Sequence, residues 1–138
     1  MVRFTLIFAL WWSTDVSLSG NWGVWVPNSA YGIKGQNSLI NCTFWYPKEQ
    51  TLKLRKWLLS TKNEVIVVAP SEGNSLDRYI IIGEGEKRQC TLLISNTTLE
   101  DEEIYKFRFE TDKDKWSAKD KTKLYISGFP TGEKEPAD

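Results

Sequence analysis

Apolar and polar side chains alternate with a period of two along much of the chain. In YKFRFE, residues 105–110, Tyr105, Phe107 and Phe109 fall on one side of a strand. Lys106, Arg108 and Glu110 fall on the other. The same reading puts Ile40, Cys42 and Phe44 on one face of a run at 38–44, and Cys90, Leu92 and Ile94 on one face of a run at 88–95. Further β-rich runs lie at 22–27, 53–59, 64–69, 77–82, 103–111 and 116–127, the last with Leu124 and Ile126 turned inward. Turn residues separate the runs, and no stretch sustains a helical period. Pro27 marks the first run as an edge strand or a break.

Short strands in this number and at this spacing predict an all-β chain folded as a variable-type immunoglobulin sandwich. Trp57 follows the cysteine of the second run in the manner of that fold. Asp101 stands four residues before Tyr105, where such sandwiches place a tyrosine corner. Arg78 opens the fifth run and is expected to pair with Asp101, a structural rather than a ligand-binding role.

The ends add a topology. Residues 1–19 read as a signal peptide, with a short basic start, an apolar stretch too short to span a bilayer, and Ser17 and Ser19 as small residues before cleavage. The domain is expected at 20–127, followed by a polar tail or the start of a linker at 128–138. No later stretch is long and apolar enough for a membrane span. The chain is therefore expected in the secretory pathway, extracellular or, in a longer product, outside the plasma membrane. In that compartment Cys42 and Cys90, the chain's 2 cysteines, are expected to form a disulfide. Asn41 and Asn96 each open a glycosylation sequon, NCT and NTT.

Composition removes several classes of function. Lys plus Arg and Asp plus Glu both number 18, so there is no net charge to draw the chain to nucleic acid. There are 0 histidines, which excludes a His-based triad and a His-ligated metal. No activated nucleophile, metal cluster or phosphate loop is present, so the chain reads as a non-enzyme without a cofactor. The 7 tryptophans exceed what one core needs and leave some for a surface role.

The second cysteine is displaced. An ordinary immunoglobulin domain carries it two residues after the corner tyrosine, where this chain has Phe107. Cys90 falls one strand earlier, so a bond from Cys42 on strand B to Cys90 on strand E lies within one sheet and does not join the two. With NWGVWVP, NCTFWYP and QCTLLISN, this placement and YKFRFE make the chain resemble the N-terminal domain of the siglecs, the sialic-acid-binding immunoglobulin-like lectins, over residues 21–127. The resemblance implies that Arg108 pairs with the carboxylate of a terminal sialic acid. It implies that Trp22 packs against the N-acetyl group, that Trp116 packs along the glycerol chain, and that the main chain at Lys115 and Ser117 meets the sugar's polar edge. Its partners would be sialylated glycans on glycoproteins or glycolipids. The chain departs from the family at Asn37, which replaces a cysteine, at Asn41, which replaces a proline, and at Glu103, which replaces a glycine. The alternative is an immune-type receptor or secreted decoy that binds a protein ligand through a sandwich face, with KLRK at 53–56 as a contact.

Overall fold

The computed structural model describes residues 22–70 and 78–128. The signal segment at 1–19, the domain start at Gly20, Asp77 at the head of the fifth run and the tail from 129 lie outside the described residues.

Among the described residues eleven strands run in chain order: β1 (Gly23–Trp25), β2 (Ser29–Ile33), β3 (Ser38–Ile40), β4 (Thr43–Trp45), β5 (Leu52–Ser60), β6 (Val65–Pro70), β7 (Tyr79–Ile81), β8 (Leu92–Ile94), β9 (Ile104–Thr111), β10 (Lys115–Ser117) and β11 (Thr122–Ser127). The larger sheet has the order β2-β11-β9-β5-β6, with β10 also paired to β9. A second sheet, β3-β8-β7, faces it, and β1 and β4 form a two-stranded ribbon. Side chains from both layers meet in one core, with Ile40, Phe44, Trp57, Leu92, Tyr105, Phe107 and Leu124 among its fully buried members. This is the immunoglobulin sandwich that the alternation predicts.

Pro27 does break the first run. The chain before it pairs with β4, whereas β2, after it, runs parallel to β11 in the other sheet. The break is held where the Thr122 hydroxyl donates to Pro27 O at 2.6 Å. β2 is absent from the sequence reading because its inward residues are Ala30 and Gly32, which give no apolar alternation. Gly32 is required there: a Cβ would collide with Ser38 Oγ and crowd Ile126. The expected single strand at 116–127 is instead two strands, β10 and β11, separated at Ala118 to Lys121.

Cys42 and Cys90 are bonded, with Cα atoms 4.9 Å apart. Their neighbours β3 and β8 are paired, so the bridge lies within the smaller sheet as expected. The two layers are joined instead by Phe107, by Trp57 packed on it at 5.6 Å, and by the Trp57 indole N–H donating to Cys90 O at 2.8 Å. At the far end, Asp101 accepts from both terminal nitrogens of Arg78 at 2.8 and 2.9 Å and from the Tyr79 hydroxyl at 3.0 Å. The Tyr105 hydroxyl donates to Asp101 O at 2.8 Å and completes the corner.

Burial alone would push the Asp101 carboxyl up, but donation from Arg78, from Thr98 N–H and from Tyr79 outweighs it and holds the group below its ordinary value. A carboxyl depressed in the folded state contributes stability above the unfolded pKa, about 4, and loses it as pH falls through the folded value. Urea midpoints are therefore expected to fall below about pH 4, and to fall less steeply in Asp101→Asn, which starts from a lower midpoint at pH 7. Parallel acid limbs for the two proteins would contradict this assignment.

Candidate functional site

β9 sets the site because its alternation is complete. Tyr105, Phe107, Phe109 and Thr111 are buried, and the residues that alternate with them, Ile104, Lys106, Arg108 and Glu110, are half-exposed on the outer face. Arg108 thus leaves the sheet toward solvent from a central strand, with β5 on one side and β10 on the other. Its cross-strand neighbours are Lys56 on β5 and Ser117 on β10.

The Arg108 side chain is 32% exposed. Its Nε is shielded from solvent and has no hydrogen bond; the nearest carboxylate oxygen, Glu110 Oε2, is 3.7 Å away. That distance gives electrostatic attraction without a directed bond. The guanidinium is held loosely by its own sheet, so an incoming carboxylate would not have to displace a short ion pair. A planar fork of donors of this kind suits bidentate capture of a carboxylate.

Lys115 lies opposite Glu110, and Ser117 lies opposite Arg108, on the same outer face. Ala118 N–H donates to Phe107 O at 2.9 Å. Alternation in an antiparallel ladder then turns the main-chain groups of Lys115 and Ser117 away from β9, toward an edge with which no described strand pairs. These groups are available to a ligand laid along β10.

Trp22 and Trp116 are brought together, their rings stacked with centroids 5.5 Å apart. Trp116 is in register with buried Phe109 and lies 5.1 Å from its ring, so it springs from the core side of β10, opposite to Arg108. Both indoles are only half-buried and close the margin of the core. The structure therefore forms two groups: Arg108, Lys115 and Ser117 on the outer face, and the Trp22–Trp116 stack around the strand margin. Trp25, half-exposed on β1, lies outside the stack.

Two features were hidden in the sequence. The outer face of the larger sheet gathers Lys56, Lys106, Arg108, Lys115 and Lys123, with Glu110 as its carboxylate among the strand positions described. The cations come from four strands, β5, β9, β10 and β11, and only register assembles them. The KLRK stretch, conversely, does not form one patch: Arg55 turns toward Gly83 O and Gln89 O, at 3.2 and 2.8 Å. The sequon residues Asn41 and Asn96 are both exposed, and Asn96 has a left-handed φ of 50°.

A cleft of about 450 Å³ lies elsewhere, between Tyr46, Gln50, Leu52, Arg55 and Glu86. The Arg108 site is an open surface. Among the described residues no cluster of His, Cys, Asp and Glu could hold a metal, and no helix is long and apolar enough to cross a membrane.

No family profile matches the chain. Human myelin-associated glycoprotein is 30% identical to it over 118 residues, which is 78% of this chain and 19% of that protein. The chain thus spans 19% of the length of this relative. The structure of murine CRIg superposes with a TM-score of 0.66 at 14% identity, covering 78% of this chain and 99% of that one. The fold is that of an immunoglobulin-type domain.

Proposed function

We propose that this domain is a lectin module that binds terminal sialic acid on glycoproteins or glycolipids outside the cell, in adhesion or immune recognition. The observation that carries the reading is Arg108: a guanidinium on the outer face of a central strand, one-third exposed, without a hydrogen bond among the described residues. A sialic acid carboxylate takes the Arg108 fork. The sugar lies along β10, its amide and hydroxyl groups on the outward main chain of Lys115 and Ser117. Its N-acetyl and glycerol groups reach around the strand margin to Trp22 and Trp116. The sequence similarity to myelin-associated glycoprotein, a siglec, supports the same assignment.

A charge-assisted contact and two apolar ones, less the cost of association, correspond to a Kd of about 0.1–1 mM, so function requires several copies. A multimerised domain is expected to stain sialylated cells and to lose the signal after sialidase treatment. Staining indifferent to sialidase would overturn the reading.

A second reading has its own observation. Val65 and Val67 on β6 are 64% and 43% exposed on the same outer face, opposite Ser60 and Leu58, the latter the next outward position after Lys56 on β5. An apolar edge next to cations fits a protein ligand, and sialidase-resistant staining would favour it.

A further inference from the structure

The geometry points to a second anion subsite at Lys56, so that the preferred ligand is a sialoside carrying two negative groups. This inference rests on the sialic-acid reading above and deepens it.

Lys56 and Arg108 are directly opposite on adjacent antiparallel strands. Side chains so placed leave the sheet with Cβ atoms about 5 Å apart, and like charges in that position are destabilising. Packing does not call for a cation at Lys56: the neighbouring outward positions on β5 are Leu54 and Leu58. Nor is its charge met. Among the described residues neither Lys56 nor Lys106 has an ion pair, and the carboxylate of Glu110 is turned to Arg108 Nε. The sheet thus holds two adjacent cations, and the carboxylate beside them, Glu110, lies along the Arg108 strand, 3.7 Å from Arg108 Nε.

A single carboxylate on Arg108 leaves Lys56 unanswered. A second anionic group a few ångströms from the first would answer it. Two chemistries supply that group on a sialylated glycan: the carboxylate of a second sialic acid, or a sulfate ester on the adjoining sugar. The shared requirement is a second anion facing β5. A neutral extension would meet Pro70, opposite Lys56, and then Leu58 and Val67 in that direction.

The test compares soluble glycans on the immobilised full chain: sialyllactose, disialyllactose, sialyllactose sulfated on galactose, and sulfated lactose. The wild type is expected to bind at least one of the doubly anionic sialosides about three- to tenfold more tightly than sialyllactose. Which of the two gains identifies the source of the anion. Lys56→Gln is expected to remove the gain while leaving sialyllactose within about twofold, and Lys56→Arg is expected to keep it. Equal affinity for singly and doubly anionic sialosides, or a gain that survives in Lys56→Gln, would overturn the subsite and leave sialic acid binding intact. Sialyllactose that does not bind at all would overturn the sialic-acid reading, and the subsite with it.

Discussion

Replacing Phe107 by alanine is expected to lower the unfolding free energy by about 4 kcal/mol. The ring is fully buried and contacts Phe44 at 5.3 Å, Trp57 at 5.6 Å and Phe109 at 6.1 Å between ring centroids. Truncation loses its transfer free energy and leaves a cavity between two layers that close packing prevents from collapsing. The cost should lie at the upper end for such a change because Phe107 stands where other immunoglobulin sandwiches carry an inter-sheet sulfur. Here the disulfide lies within one sheet, so adhesion between the layers depends on this ring, Trp57 and Phe44. Urea unfolding at pH 7 reads the loss as a lower midpoint at constant m-value. A loss below about 1.5 kcal/mol would show that the layers are joined elsewhere.

Arg108→Ala is expected to weaken binding of a monovalent sialoside by about tenfold or more, taking it beyond detection in most formats. The chain itself should not suffer. The side chain makes one ion pair at 3.7 Å and no hydrogen bond, so the unfolding free energy should change by less than about 0.5 kcal/mol. Arg108→Lys keeps the charge but loses the planar fork, and it should recover only part of the affinity. Equilibrium binding to immobilised sialylated and desialylated glycoprotein, beside thermal melts of the three proteins, separates the two effects. A variant that loses binding only because it melts would return the arginine to a structural role.

The alternation in 105–110 was legible because one period settles both faces of a strand at once. The Tyr105 corner was legible because Asp101 stands only four residues before it, and the Arg78–Asp101 pair because the sandwich brings the start of the fifth run to that corner. The disulfide followed from two cysteines on runs whose order the sandwich dictates. β2 was not legible, since Ala30 and Gly32 face inward and small residues leave no hydrophobic signature. The division of 116–127 was missed because the buried Ala118 between β10 and β11 reads as continued strand. The cationic face escaped for a different reason. Lys56 and Arg108 are far apart in sequence, and only the pairing register makes them neighbours. The same register fixes the side from which Trp116 leaves β10, which no pattern within that short strand could reveal.

The claim that a carboxylate is captured at Arg108 is tested most directly by titrating the ¹⁵N-labelled domain with sialyllactose and following the arginine Nε–Hε, amide and tryptophan indole signals. The account predicts saturable shifts at the Arg108 side chain and at the Lys115 and Ser117 amides. The Trp22 and Trp116 indoles should move in the same titration, with a midpoint of about 0.1–1 mM. Shifts confined to other surfaces, or an Arg108 signal that stays still at saturating ligand, would contradict it.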